Sequence, residues 1–245
     1  HGGAGGESSI SYTPSRNVYP AGTVVHFNDT FRALFLALED WVTKGTEPPA
    51  SQTPKLADGS LVKPDAVEFP VMRGLQWKSG ASMADVPAFN YLARYNNYEL
   101  LEFGPQYYPE DESGIATVLP PQQTGKQYPI LVPQVDSRTG LTIAGVHSVE
   151  ALAPLGTSIE FNYVASDKIV DLSNLTGSYL PFHKTQAQRM AAGDTRVSLE
   201  ELYGHQAGYV QAVSTAAQGL VQKRLLLQRD ADLITEKART TAIFD

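Results

Sequence analysis

Five histidines are the side chains of this sequence best suited to move a proton or to hold a metal ion: His1, His26, His147, His183 and His205. No two of them have the short spacing that places two ligands on one face of a helix, and no His-Glu-x-x-His motif occurs. Cysteine is absent, which excludes thiolate catalysis, disulfide bonds and cysteine zinc sites. The sequence therefore predicts no metal centre.

Phosphate-binding loops are also missing from the sequence. It contains neither a Gly-x-x-x-x-Gly-Lys-Ser/Thr loop nor a Gly-x-Gly-x-x-Gly motif between a strand and a helix. The opening glycines at 2–6 follow no strand, so we expect no nucleotide there and no cofactor elsewhere. The net charge of −7 argues against a nucleic-acid partner, because phosphate backbones bind electropositive surfaces.

A serine nucleophile is the one catalytic pattern that the sequence approaches. Residues Gly80–Ala84 resemble a Gly-x-Ser-x-Gly elbow centred on Ser82, although alanine replaces the last glycine. Asp136 and His183 would complete the order Ser, Asp, His, and His1-Gly2-Gly3 resembles the oxyanion loop of some esterases. The elbow requires a buried strand before the serine and a helix after it, whereas Pro87 soon interrupts the chain here. A loop serine is the favoured interpretation, and a self-contained esterase using Ser82 remains an alternative.

The remaining polar and aromatic candidates have structural interpretations. His147 follows a predicted hairpin and His183 precedes a predicted helix, positions typical of hydrogen-bonded structural histidines. Aromatic residues in segment 89–103 are expected to pack on a core, with an aromatic substrate wall as the alternative. The acidic run 110–112 is interpreted as a solvated loop.

One amphipathic helix must position whatever chemistry lies near the start of the chain. Apolar residues at helical spacing predict a helix over 29–44, capped by Asn28 or Asp29 and ended by Gly45: Phe31, Leu34, Phe35, Leu38, Trp41 and Val42. Its apolar face is wide enough that we expect it to pack on a sheet.

The residue pattern of the rest of the chain divides it into a loop-rich segment and a helical one. Segment 48–183 is loop-rich, with short strands predicted at 67–72, 115–119 and 158–165 and a hairpin formed by 128–136 and 141–146. From 184 to 245 the pattern is helical. A capping box at Ser198 and Glu201 opens this tail, followed by a long helix over about 209–225 and a shorter one over about 230–238. With 245 residues, we expect three units: 1–47, 48–183 and 184–245. No run of about 18 apolar residues exists, so no membrane span is predicted.

Several stretches together resemble the bacterial α/β-hydrolase domain proteins, from about residue 30 to the end. The resemblance is carried by 33–49 (ALFLALEDWVTKGTEPP), 55–62 (KLADGSLV), 128–136 (YPILVPQVD), 155–157, 171–182 (DLSNLTGSYLPF), 192–194, 198–201 and 225–227. It implies an α/β fold, of which this chain would be the C-terminal part: a helix packed on a sheet, a loop-rich middle with short strands and a helical tail.

The resemblance also implies an activity. In this fold the nucleophilic serine and the catalytic acid come early, and the catalytic histidine lies on a loop before the final core helix, where His1 falls. We therefore expect His1 to be the general base of a serine hydrolase of carboxylic esters or lactones. An upstream half of the same hydrolase would supply the nucleophile and the acid, so this chain alone would be inactive.

Two further expectations concern the whole chain. It begins with His1-Gly2-Gly3, which is neither an initiator Met nor a signal peptide, so a cut or processed chain is expected. The location is left open, with a secreted or periplasmic one favoured. The alternative from another class is a non-catalytic module that binds a partner through its proline-rich middle and aromatics such as Tyr107 and Tyr108.

Overall fold

The structure is a computed structural model that describes residues 27–70, 99–108, 112–159, 162–165, 170–173 and 178–244. The predictions made for His1, His26, Ser82, segment 71–98 and residues 110–111 fall outside these ranges. The division into units 1–47, 48–183 and 184–245 stays a prediction.

Helix α1 spans Asn28–Lys44, as the apolar periodicity predicts. Gly45 ends it with a φ of 70°, and the backbone N–H groups that follow bond to the carbonyls of Asp40 and Trp41, a closure that glycine adopts without steric cost. The predicted cap at Asn28 or Asp29 is wrong, because the capping position is Phe27, which makes no side-chain hydrogen bond. Asp29 instead lies in the first turn, where its charge suits the helix dipole.

The side on which α1 packs differs from the one the sequence suggests. Small residues form its buried side: Thr30, Ala33 and Ala37. Leu34 contributes at the margin of that side, packed against the core of the C-terminal helices. The bulky residues are exposed, so the sheet expected beneath them is not found in the described part of the chain.

The middle of the chain forms short antiparallel ribbons. Ten strands are described: β1 (Leu61–Val62), β2 (Glu99–Glu102), β3 (Tyr107–Tyr108), β4 (Ser113–Gly114), β5 (Gln122–Gln127), β6 (Val132–Pro133), β7 (Gly156–Ile159), β8 (Asn162–Ala165), β9 (Val170–Ser173) and β10 (Ser178–Pro181). They pair as β1 with β6, β2 with β5, β3 with β4, β7 with β10 and β8 with β9. Every pairing within the described ranges is antiparallel.

The strand predictions fare less well than the helix predictions. Segments 67–70 and 115–119 have no strand, and 158–165 contains parts of two strands, β7 and β8, that pair with different partners. The predicted hairpin is reduced to one bridge between Val135 and Thr142. Its turn is formed as expected: Asp136 accepts hydrogen bonds from the N–H groups of Arg138 (2.6 Å) and Thr139 (3.2 Å), and Gly140 adopts a φ of 73°.

The C-terminal region is helical, as predicted. It follows α2 (Val149–Leu152) and contains α3 (Gln186–Ala192), α4 (Leu199–Tyr203), α5 (Gln206–Gln222) and α6 (Gln228–Thr240). The capping box of Ser198 and Glu201 is confirmed at the start of α4. A second one, formed by Thr185 and Gln188, opens α3. The main core joins α2, α4, α5 and α6 through Val149, Ala153, Phe182, Leu199, Tyr209, Val213, Ala217, Leu220, Leu225, Leu226, Ala231, Ala238 and Ile243.

This mixture of helices and short strands fits the α/β class. None of the helices in the described ranges has the length and apolarity needed to cross a bilayer.

Candidate functional site

The structure gives a position to two of the residues considered for catalysis. Asp136 uses its carboxylate within its own turn, where it accepts backbone hydrogen bonds. The acidic partner of His183 is Asp194 instead: Nε2 of His183 lies 3.7 Å from Oδ2 of Asp194. His1 and Ser82 lie outside the described residues, so their roles stay predictions.

Around His183 lies the most deeply buried charged group described. We call this group the hub, and it consists of Arg196, Asp194, His183 and Thr157, with the backbone carbonyls of Leu180 and Pro181. Strand β10 supplies the two carbonyls and its partner β7 supplies Thr157. Asp194 and Arg196 come from the short connection between α3 and α4. Arg196 and Thr157 are fully buried, and Asp194 nearly so.

The guanidinium of Arg196 uses all its donors inside the protein. Nε donates to Asp194 at 3.1 Å, and Nη1 donates to Thr157 Oγ1 (2.9 Å) and the Leu180 carbonyl (2.8 Å). Nη2 donates to Asp194 Oδ2 (2.8 Å) and the Pro181 carbonyl (3.2 Å). Since a guanidinium has five N–H groups, none is left for a substrate anion.

Asp194 is likewise committed to Arg196. Besides the guanidinium, it accepts the backbone N–H of Arg196 at 2.9 Å, so its charge is balanced by a single residue. The Nε2 atom of His183 is buried and has no hydrogen-bond partner. A catalytic histidine needs an orienting carboxylate on one side and a nucleophile on the other. No nucleophile contacts Nε2 of His183 among the described residues. We therefore interpret the hub as structural.

Two contacts show what the hub holds together. Thr157 donates its hydroxyl to the carbonyl of Thr139 at 2.5 Å, which ties the turn after Asp136 to β7. Gly156 lies so close to β10 that an added Cβ would stand 2.6 Å from the Leu180 carbonyl oxygen. The hub therefore joins the turn, the β7–β10 ribbon and the start of the helical tail.

Three tyrosines lie near the hub and the helical core. Burial raises the pKa of Tyr179 to about 12 and raises the pKa of both Tyr203 and Tyr209. Tyr203 donates its hydroxyl to the Pro154 carbonyl at 2.7 Å and stacks edge-on against Tyr209. These phenols stay neutral at physiological pH and so cannot act as bases there.

A groove between α5 and α6 has a volume of about 460 Å³. It is open to solvent and lined by Gln206, Ala207, Val210, Gln211, Ser214, Thr235 and Arg239. Ser214 has a hydroxyl that could serve as a nucleophile, but the lining contains neither a histidine nor a carboxylate to activate it. In the ranges that the structure covers, no three His, Asp or Glu side chains come together to hold a metal ion.

Sequence reasoning missed Asp194 and Arg196 as a pair. The sequence signal for this pair is the Asp-x-Arg spacing directly after Gly193. These two charged residues do not belong to a longer run of charged residues of the kind that forms a solvated surface. His205, which the sequence left without a role, caps α5: its Nδ1 accepts the N–H of Gly208 at 3.2 Å.

Comparison with known proteins gives one match. The sequence model of a family described as an alpha/beta hydrolase domain matches residues 8–236. No curated protein and no solved structure matches the chain.

Proposed function

This chain belongs to the alpha/beta hydrolase domain family, and we propose that it is the C-terminal part of a serine hydrolase acting on a carboxylic ester or lactone. The observation that carries the proposal is the match over residues 8–236, combined with the lack of a nucleophile–base–acid set among the described residues. The reacting groups are therefore sought outside those residues.

His1 is the proposed general base, and an upstream half of the same hydrolase is the proposed source of the serine and the acid. His1 removes the proton from the serine hydroxyl as its oxygen attacks the ester carbonyl. The tetrahedral oxyanion is stabilised by backbone N–H donors of the upstream half. His1 then protonates the departing alkoxide, and a water molecule, activated by His1, releases the acid from the acyl-enzyme.

A fluorophosphonate probe tests this assignment, because it reacts only with an activated serine. We expect no labelling and no nitrophenyl ester hydrolysis by this chain alone. With the upstream half present, we expect a label on a serine of that half, which His1→Gln reduces by at least a hundredfold. An upstream half that assembles with this chain and stays unlabelled would contradict the proposal.

The probe also tests the alternative that this chain is a self-contained esterase using Ser82. If the chain alone is labelled, and Ser82→Ala removes the label, the nucleophile is Ser82 and no second half is needed.

A non-catalytic binding module is the second candidate. It is supported by the hub, whose charges are all consumed internally, and by Tyr108, whose ring is exposed on β3. A chain that is stable and stays inert toward both the probe and nitrophenyl esters after an upstream half has assembled with it would favour this candidate.

A further inference from the structure

Helix α1 presents an apolar surface that nothing in the described residues covers. We call it the α1 outer face, and it consists of Phe27, Phe31, Phe35, Leu38, Trp41 and Val42. These residues follow one another at the spacing of a single helical stripe. Phe35 is 71% exposed and Val42 is 78% exposed. Contiguous apolar patches of this kind mark interaction surfaces.

The outer face cannot turn inward, because other sides of α1 already contact the C-terminal helices. Near the start of α1, Arg32 donates from Nε to Asp230 of α6 at 3.1 Å and also pairs with Asp29. Just beyond its end, Arg224 donates to the carbonyl of Glu47 at 2.7 Å. The face is thus presented as an ordered surface about 25 Å long at 1.5 Å per residue.

The area of the outer face is close to what a dimer requires. At roughly 150–250 Å² per aromatic residue, exposed fractions of 50% for Phe31, 71% for Phe35 and 51% for Trp41 amount to about 350 Å². Phe27, Leu38 and Val42 raise this to about 600 Å² per chain, so complete burial of two such faces would remove about 1,200 Å² from water. Standard interfaces begin at about that size.

We propose that the α1 outer face binds the same face of a second copy of this chain, with the two helices antiparallel about an axis between Leu34 and Phe35. This register places Phe31 opposite Leu38 and Phe27 opposite Val42 of the second copy, while Trp41 falls opposite Asn28. An isologous pair of this kind is closed and needs one self-complementary patch.

Electrostatics favour the antiparallel arrangement over the parallel one. Asp29 lies in the first turn of α1 and Lys44 in the last. Antiparallel helices place opposite ends of their dipoles side by side, whereas a parallel pair would align like ends. The charged residues of α1 lie beside the outer face and not within it, so pairing leaves them in water.

Sedimentation equilibrium of the full chain tests the proposal. We expect a monomer–dimer equilibrium, and Phe35→Glu should raise the dissociation constant at least tenfold by placing a charge at the centre of the interface. Leu233→Glu is the matched control: Leu233 is 59% exposed on α6 and is not part of the α1 outer face, so its replacement should leave the constant unchanged. Circular dichroism checks that both variants fold.

Engineered cysteines test the register, because the chain has no cysteine of its own. Under mild oxidation, Phe35→Cys should yield a covalent dimer, since its two copies flank the axis. Val42→Cys should not, because its two copies lie about 22 Å apart along the helices at 1.5 Å per residue.

Four results would overturn the proposal: a monomer at every concentration, which would leave a sheet from another polypeptide as the occupant of the face; open-ended assemblies; equal weakening by Phe35→Glu and Leu233→Glu; or cross-linking through Val42→Cys but not Phe35→Cys. The proposal does not rest on the proposed hydrolase activity, because sedimentation and probe labelling are measured separately.

Discussion

The helical C-terminal region and the ribboned middle of the chain differ in how much of their surface they bury. Ala217 of α5 and Ala231 of α6 are completely buried, and so is Arg196 in the connection between α3 and α4. In the middle region, all six residues of β5 are exposed. A two-stranded ribbon cannot cover both its faces and is marginal alone, whereas packed amphipathic helices share one core. We infer that the free energy of unfolding resides mainly in the helical region.

Arg196 gives the largest test of that difference. Arg196→Met leaves the buried Asp194 without its cation and removes a hydrogen-bond donor from each of two carbonyls. We expect a loss of about 3–5 kcal/mol in the free energy of unfolding, measured by urea denaturation.

The matched control for Arg196 is an exposed ion pair. Arg239 and Glu236 form one on α6 in which both side chains are 63% exposed, and Arg239→Met should cost less than about 0.5 kcal/mol. If Arg196→Met and Arg239→Met reduced the free energy of unfolding by similar amounts, the structural role of the hub would be refuted.

Leucine truncation compares the two regions directly. Leu225 is 2% exposed in the helical core, and Leu225→Ala should cost about 2–4 kcal/mol because it leaves a cavity. Leu119 is 74% exposed in the middle region, and Leu119→Ala should change stability by less than about 0.5 kcal/mol. Equal effects in the two positions, measured by thermal and urea unfolding, would refute the contrast.

The same contrast explains what could be predicted from the sequence. Helix α1 and the capping box at Ser198 were predictable because their signals are local: periodicity within 17 residues, and a serine three positions before a glutamate. The ribbons were not, because β1 pairs with β6 across about 70 residues and only two residue pairs define the contact. The hub was equally hidden, since Arg196 meets Thr157 across 39 positions.

The face of α1 shows a subtler failure. The stripe of large apolar residues predicted the buried side, yet the described packing uses Thr30, Ala33 and Ala37. Thr30 lies beside Leu220 and Leu226 of the C-terminal region. Hydropathy alone does not distinguish a face packed within the chain from one that binds a partner. Of the candidate catalytic residues, the sequence placed His183 correctly before a helix, but its acidic partner is Asp194 and not Asp136.

Glu201 sharpens the contrast through pH. Arg189 bonds both its carboxylate oxygens at 2.5 Å, and with the Ser198 N–H and hydroxyl it lowers the pKa of Glu201 to about 2. A carboxyl whose pKa is lower in the folded state stabilises the fold above its unfolded pKa, near 4.5, and loses that contribution as pH falls toward 2. Glu201→Gln should therefore cost about 1 kcal/mol at pH 6 and progressively less toward pH 2.

Urea midpoints of Glu201→Gln and the unaltered chain, measured from pH 6 to pH 2, check this expectation. Glu112 is an exposed glutamate of the middle region, and the described residues give it no such hydrogen bond or ion pair, so Glu112→Gln serves as the control. A difference that stays constant across the range for Glu201→Gln would contradict the assigned pairing.

Gly114→Ala should have the smallest effect on the free energy of unfolding of the whole chain and the largest effect on local amide exchange. Gly114 adopts a φ of 91° on β4, and an added Cβ would stand 2.0 Å from the backbone carbonyl oxygen of Gln106, so Gly114→Ala must disrupt the β3–β4 ribbon. Because that ribbon shares no core with the helices, we expect the urea midpoint to change by less than the equivalent of about 0.5 kcal/mol, while amide exchange at Tyr107 and Ile115 accelerates at least tenfold. Gly125→Ala is the matched control, since Gly125 also has a positive φ, 71°, but meets no atom within 4 Å. A global loss as large as that of Leu225→Ala would show that the ribbons and the helices unfold as one unit, and the division of stability between them would fail.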